Sequence, residues 1–184
     1  MRIINKILIK VSFVISVLLF LSGCETTNAI PYKASSSNIA TMQTALADKG
    51  NLSVGNVNIA KDISLMCRLN GDIIVYPGKS IPEYVKDAFL EELIVAQKYD
   101  ATSRKVSVNL ESVSFSSITP ANWEISAKVS SDNGVNYPIS VKHEFDTSWS
   151  AAGACENVAN AFGPTTQELI KEIVSNPKFA LLSN

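Results

Sequence analysis

The chain contains few of the residues from which catalytic and metal sites are usually built. It has one histidine, His143, among 184 residues, and no glycine-rich phosphate-binding loop. His143 shares the alternating phase of Val141 and Phe145, which places it on or beside the apolar face of a strand. Glu144 points to the opposite face, so the two residues cannot form a dyad. We interpret His143 as packed and hydrogen-bonded, and we predict no catalytic residue, no metal site and no cofactor.

An excess of positive charge is also missing. The chain carries 16 Lys and Arg against 17 Asp and Glu. The first 23 residues hold three of the positive charges and none of the negative ones, so the remainder carries 13 against 17, a net charge of −4. Binding to nucleic acid requires a basic surface. The sequence therefore argues against nucleic acid as a partner, and also against electrostatic attachment to anionic lipid.

No apolar run before the folded domain is long enough for a permanent membrane span. The main stretch covers residues 11–21, about half of the roughly 20 apolar residues that a spanning helix needs. It follows Arg2, Lys6 and Lys10 and ends in small residues. A positive start, a short apolar stretch and small residues before a cleavage point are typical of a secretory signal peptide. We therefore predict that residues 1–23 are removed from the mature protein.

The segment Leu21-Ser22-Gly23-Cys24 resembles the lipobox of bacterial lipoprotein precursors. This resemblance implies that a lipid is attached to the Cys24 thiol, that the peptide is cut before Cys24, and that the new amino group is acylated. Several acyl chains hold a protein stably at a membrane, whereas one chain does so only marginally. Glu25, by the same resemblance, favours the outer membrane. The alternative is an ordinary signal peptide followed by a buried cysteine.

Two further cysteines, Cys67 and Cys155, remain if Cys24 carries lipid. An exported protein lies in an oxidising compartment, where disulfides form and persist. We expect a Cys67–Cys155 disulfide, which would stabilise the fold by about 4 kcal/mol on the chain-entropy model. Two buried free thiols are the alternative.

The mature chain divides into a short polar segment and one domain. Residues 24–37 contain Pro31 and a run of three serines, which favours a lipidated cysteine followed by a flexible tether. Residues 38–184 are predicted to form a single α+β domain. Asn38 is the expected cap of a first short helix that ends near Gly50.

Three strands and two longer helices dominate this domain. Ser80 and Glu83 have the spacing of a capping box and predict a helix that runs to about Gln97. Alternating segments at 105–117, 122–131 and 135–145 predict an antiparallel meander, with Asn133-Gly134 as a hairpin turn. The phase of the first of these strands changes near residues 111–112, which indicates a β-bulge or two partly covered faces.

The final helix is predicted over 151–175, with a kink or break at Pro164 because proline lacks the main-chain donor. Weaker patterns predict strands at 52–60 and at 63–69, with a possible extension at 71–75. The expected fold class is therefore α+β: a mainly antiparallel sheet, made of the meander and one or two N-terminal strands, with two helices packed on one face.

Two tryptophans and two adjacent glutamates have alternative interpretations. Trp123 lies in the inward phase of a strand and is expected in the core. Trp149 lies in the connection to the last helix, where it either caps the core near the disulfide or forms an exposed contact for a partner. Glu91 and Glu92 are expected to be solvated charges.

Several segments together resemble a group of small, uncharacterised lipoproteins of Gram-negative envelopes, over roughly residues 54–182. The segments that carry the resemblance are Cys67, Ile81-Pro82-Glu83-Tyr84-Val85-Lys86-Asp87-Ala88-Phe89, Glu92-Leu93, Asn122-Trp123-Glu124-Ile125, Asn133-Gly134, Phe145, Ala154-Cys155-Glu156-Asn157-Val158-Ala159 and Gln167. The resemblance implies the fold, the envelope location and the Cys67–Cys155 bridge, but no activity. More loosely, the plan is similar to auxiliary lipoproteins of transport or outer-membrane assembly complexes.

These observations favour a non-enzymatic binding or accessory module that is held at the periplasmic side of the outer membrane through Cys24. Its partners would be the membrane itself and an envelope protein. The alternatives are a structural or stress-related envelope lipoprotein, and an enzyme or inhibitor that acts on cell-wall glycans.

Overall fold

The computed structural model describes residues 26–27, 31–60 and 63–184, so the predicted signal peptide and Cys24 lie outside the described residues. The strands are β1 Thr26–Thr27, β2 Leu52–Ile59, β3 Ile73–Ile74, β4 Arg104–Ser116, β5 Ala121–Ser131 and β6 Asn136–Phe145. The helices are α1 Ser36–Ala45, α2 Ile81–Val95 and α3 Ala151–Ser175, followed by a 3₁₀ helix at Phe179–Ser183. The predicted α+β class is confirmed by an open, mainly antiparallel four-stranded sheet beside a two-stranded pair.

The predicted meander forms the greater part of the large sheet, whose strand order is β2-β4-β5-β6. Strands β5 and β6 meet at the Asn133-Gly134 turn, where Gly134 has a φ of +92° that a residue with a Cβ adopts only with strain. The outer face of these strands is exposed, and Glu124 pairs there with Lys142 at 2.9 Å. The pattern of alternating residues therefore predicted this region closely.

Two irregularities shape the sheet. The register between β4 and β5 shifts between Leu110 and Ser112, which confirms the predicted bulge. Strand β2 runs parallel to β4 and also changes register, between Val54 and Val57. A Cβ on Gly55, within that shift, would lie 2.4 Å from Oγ of Ser107, so the close approach of the two strands requires glycine there.

Helices α2 and α3 cover the apolar face of the sheet. The ring of Tyr84 in α2 lies 5.3 Å from that of Phe162 in α3, and Phe162 lies 5.0 Å from Trp123 of β5. The indole N–H of Trp123 donates to the main-chain oxygen of Val158 at 2.8 Å. Trp123 is fully buried, as its phase predicted. Sheet and helices therefore share one core.

The start of α2 forms as predicted. The Ser80 hydroxyl accepts from the main-chain N–H of Glu83, and the Glu83 carboxylate accepts from the main-chain N–H of Ser80 at 2.8 Å. This reciprocal arrangement satisfies two donors that the first turn of a helix leaves free.

Of the kink or break predicted at Pro164, the break does not occur, since α3 continues through this residue. The hydroxyls of Thr165 and Thr166 donate to the carbonyls of Ala161 and Phe162, at 2.7 and 2.9 Å. The missing main-chain N–H of Pro164 costs the helix one hydrogen bond. Burial of the apolar stripe on both sides of Pro164 against the sheet outweighs this cost.

The folded domain begins earlier than residue 38. Ser35, not Asn38, caps α1, and the main-chain oxygen of Lys33 accepts from the Gln167 amide at 2.6 Å. Strand β1 pairs in parallel with β3, with Thr26 opposite Ile73. The predicted flexible tether at 24–37 therefore includes described residues that are bound to the domain.

Candidate functional site

The structure joins Cys67 and Cys155 in a disulfide with a Cα–Cα distance of 5.9 Å. Both cysteines are buried, and the bridge ties the loop before β3 to the first turns of α3. It fixes one end of the domain, where the exposed apolar side chains described below are clustered.

The predicted strand at 63–69 is wrong. Met66 and Asp72 form only an isolated bridge, and Arg68 and Leu69 have φ values of 47° and 57°. These values lie in the left-handed region, which is costly for residues with a Cβ and is incompatible with a strand. The resulting turn presents Leu69 to solvent. Backbone strain of this kind, at residues other than glycine, is often retained for function.

Arg68 holds three segments together at this end. Its guanidinium donates to the Ser117 hydroxyl at 3.0 Å, to the main-chain oxygen of Ser117, and to that of Ser148 at 3.2 Å. Thr147 also donates to the Ser117 main-chain oxygen, at 2.6 Å. The segment after β4 and the segment before α3 are therefore fixed against the disulfide loop.

Trp149 is fully exposed. It directly precedes Ser150, whose hydroxyl caps α3 by accepting from the main-chain N–H of Gly153 at 3.1 Å. An apolar residue in this position commonly packs back on the first turn of the helix, and Trp149 does not. The interpretation of Trp149 as a cap on the core is therefore wrong, and its side chain is available for an external contact.

Four exposed apolar residues at this end form what we call the apolar patch: Met66, Leu69, Ile118 and Trp149, with exposed fractions of 51%, 93%, 69% and 104%. Arg68 and Ile118 line both of two neighbouring clefts. The small cleft, of about 300 Å³, reaches Trp149. The large cleft, of about 560 Å³, lies between residues 63–68 and residues 111–118. Isolated exposed apolar residues are common, but a cluster beside clefts is typical of a binding surface.

One wall of the large cleft is an open strand edge. The pairing of β2 with β4 ends at Leu110, whereas β5 pairs with β4 as far as Ser116. We call residues 113–116 the edge segment; among the described residues, no strand pairs with its outer side. The outer side of such an edge presents alternate main-chain N–H and C=O groups that can bind another extended chain.

The carboxylate of Glu92 is buried among polar groups. The expectation that Glu92 is a solvated charge is therefore wrong. Glu92 is 0% exposed. Its Oε1 accepts from the Tyr32 hydroxyl at 2.5 Å, the Ser35 main-chain N–H at 2.9 Å and the Asn38 amide at 3.3 Å. The Asn38 amide also donates to the main-chain oxygen of Gln167 at 2.9 Å. This network fastens the N-terminal segment to α2 and α3.

Burial raises the pKa of Glu92 above its ordinary value, although hydrogen bonds from Tyr32, Ser35 and Asn38 act in the opposite direction. Burial, reinforced by the bond to Glu92, raises the pKa of Tyr32. The second oxygen of Glu92, Oε2, is buried without a hydrogen-bond partner. The site stabilises the fold through Oε1, and nothing in its geometry opens it to a substrate.

His143 lies 2.9 Å from Glu168, measured between Nδ1 and Oε1. The imidazole is about one-fifth exposed, and it joins β6 to α3. This position agrees with a packed, hydrogen-bonded histidine. Over residues 31–60 and 63–184, no group of three or more His, Cys, Asp or Glu side chains is arranged to hold a metal ion.

Among the helices of the described residues, none combines the length and the apolar character needed to cross a membrane. The Cys24 region falls outside the described part of the chain.

No family model matches the chain, and no curated protein matches it. A solved structure from Xanthomonas campestris, described under the family DUF330, is similar with 13% identity and a TM-score of 0.43. The match covers 83% of this chain and 92% of that chain, and a likeness at this level does not assign the chain to that family.

Proposed function

We propose that this chain is a lipoprotein of a Gram-negative envelope, cleaved before Cys24 and lipid-anchored there, with its domain in the periplasm at the outer membrane. The signal-like start and the lipobox resemblance support the anchor. The Cys67–Cys155 disulfide supports an oxidising compartment. The proposed relatives are the small envelope lipoproteins that the sequence resembles.

We further propose that the domain is a non-enzymatic binding or accessory module of an envelope complex. The groups most capable of chemistry already have structural roles: the cysteines form the disulfide, His143 contacts Glu168, and Glu92 holds the N-terminal segment. What the domain offers to other molecules is the large cleft, the edge segment and the apolar patch.

The observation that carries this proposal is the contrast between the edge segment and the other sheet edges. Strand β6 contains Pro138, which has no donor, and exposes Lys142 and Glu144. Strand β2 has its register shift at Gly55. Proline, charge and bulges are the devices that protect sheet edges from pairing. Residues 113–116 contain neither proline nor a charged side chain, and the bulge of β4 lies before them, between Leu110 and Ser112.

The occupant that fits the large cleft is an extended segment of an envelope protein. Its main chain would pair with the edge segment, while its side chains would contact Ile63 and Phe115 along the cleft. Addition of a strand to an open edge obtains affinity from main-chain hydrogen bonds and specificity from alternate side chains. Serines at 112, 114, 116 and 117 supply polar groups without net charge.

A photo-crosslinking amino acid at Ser114 tests this proposal in living cells. Ser140 is the matched control, since it is an exposed serine on the protected strand β6. We expect a crosslink from position 114, but not from 140, to one recurring segment of one envelope protein, identified by mass spectrometry of the joined peptides. The proposal is contradicted if position 114 gives no protein adduct, or the same scattered adducts as position 140.

A further inference from the structure

The apolar patch lies at the end of the domain where β1 begins. Strand β1 is parallel to β3, with Thr26 opposite Ile73 and Thr27 opposite Ile74. The first residue of β1, Thr26, therefore lies on the side of Asp72, the residue before Ile73. Asp72 is bridged to Met66 of the apolar patch.

The distance between the proposed lipid and this end of the domain is limited by the covalent chain. Cys24 is two positions before Thr26, and two residues span at most about 7 Å. The patch is close to the same point, since the main-chain N–H of Cys67 donates to the oxygen of Gly71 at 3.0 Å. Arg68, next in the chain, reaches Ser148 beside Trp149.

We propose that the apolar patch contacts the lipid bilayer in which the acyl chains of Cys24 are inserted. This inference rests on the proposed anchor, and it identifies the membrane as the partner of Trp149. A lipid attached within about 7 Å of Thr26 holds this end of the domain against the bilayer, and the residues presented there are a tryptophan, a leucine, an isoleucine and a methionine.

The chemistry of the patch suits the boundary between headgroups and acyl chains. Tryptophan has a large apolar ring with one donor and is enriched at that depth. Leu69 and Ile118 provide apolar area for the acyl side. Arg68 lies beside these residues, and its guanidinium donates hydrogen bonds to protein oxygens. The guanidinium therefore keeps these acceptors when the bilayer displaces water from the patch.

The contact would be apolar rather than electrostatic. Residues 24–184 carry 13 positive against 17 negative side chains, so attraction to anionic lipid contributes little. We therefore expect the contact on zwitterionic bilayers and at high salt. It would also bring the large cleft, which shares Met66 and Ile118 with the patch, close to the membrane surface, within reach of membrane-bound partners.

Quenching of tryptophan fluorescence by brominated lipid tests the inference directly. The full chain is produced in a Gram-negative host, purified in detergent and reconstituted into phosphatidylcholine vesicles with bromine on the acyl chains near the headgroup. Trp123 is buried and common to all variants. The difference between the wild type and Trp149→Phe gives the signal of Trp149, which we expect to lose most of its intensity in brominated vesicles, equally at low and high salt.

The matched control moves the exposed tryptophan away from the patch. Ile94 is half-exposed at the end of α2, near the start of β2, where Lys98 accepts from Leu52. In the double variant Trp149→Phe and Ile94→Trp, we expect the new tryptophan to keep its intensity in brominated vesicles. Quenching at both positions would overturn the specific orientation.

The intact mass of the same preparation distinguishes a failure of the membrane contact from a failure of the lipid anchor. Acyl groups on Cys24 with an unquenched Trp149 would overturn the membrane contact alone, and would favour a protein as the partner of the patch. A mature chain without acyl groups on Cys24 would overturn the anchor and the inference together.

Discussion

The buried carboxylate of Glu92 accepts a hydrogen bond of 2.5 Å from the hydroxyl of Tyr32, which lies 60 positions earlier in the chain. The same oxygen holds the Ser35 main chain and the Asn38 side chain. This arrangement makes the N-terminal segment part of the fold. It thereby limits how far the domain can move from its proposed anchor.

Replacement of Glu92 by alanine is expected to destabilise the protein at neutral pH. Tyr32, Ser35 and Asn38 would each keep a donor without this acceptor, at a cost of about 1–3 kcal/mol for each donor that stays buried. Glu91→Ala is the matched control, because Glu91 is the exposed neighbour, and it should change the free energy of unfolding by less than about 0.5 kcal/mol. Urea denaturation measures both values; equal effects would contradict the assigned role.

The raised pKa of Glu92 predicts the direction of a pH effect. The folded state keeps the Glu92 proton to a higher pH than the unfolded chain does. Stability from this group is therefore full below the unfolded pKa and declines as pH rises through the window up to the folded pKa. The free energy of unfolding of the wild type, minus that of Glu92→Gln, should therefore fall as the pH rises above the ordinary pKa of a glutamate, about 4.3.

Denaturation of both proteins at a series of pH values gives this difference. A difference that grows with pH would show that the hydrogen bonds to the ionised carboxylate outweigh its burial.

The two tryptophans should differ sharply in their contribution to stability. Trp123→Ala removes a fully buried ring and its bond to Val158, at a cost of about 3–5 kcal/mol. Trp149→Ala removes an exposed ring and should change the free energy of unfolding by less than about 0.5 kcal/mol. Thermal or urea denaturation compares them. A large loss of unfolding free energy in Trp149→Ala would show that this side chain is packed in the core.

Removal of the disulfide should weaken the fold. The bridge spans a sequence separation of 88, and the double variant Cys67→Ser and Cys155→Ser should lose about 4 kcal/mol. Reductant should lower the denaturation midpoint of the wild type but not that of the variant. Full alkylation of both cysteines without reductant would contradict the bridge.

The features that the sequence predicted well are local. The capping box at Ser80, the Asn133-Gly134 turn and the alternation of β5 each depend on neighbouring residues, and each appears in the structure. The bulge near Ser112 was detectable for the same reason, since a change of phase is visible within one strand.

The features that the sequence predicted poorly depend on contacts between residues that are far apart in the chain. Glu92 is three positions after Phe89 and four after Ala88, which are both buried, so its helical face was a detectable signal. Its partners Tyr32 and Asn38 lie 60 and 54 positions away, and no local pattern brings them together. The sequence does not predict the turn at Arg68, because the apolar residues around it are typical of a strand. The turn is stabilised by hydrogen bonds from Arg68 to the distant residues Ser117 and Ser148.

We propose above all that Cys24 is the lipidated first residue of the mature protein. The most direct measurement is the intact mass and N-terminal peptide mass of the protein extracted from the membranes of a Gram-negative host, compared with a Cys24→Ser variant. We expect a chain that begins at Cys24 and carries the added mass of its acyl chains, and a variant that is absent from the membrane fraction in this form. A mature protein with a free Cys24 thiol, or one cut elsewhere, would show that Cys24 is not a lipid anchor.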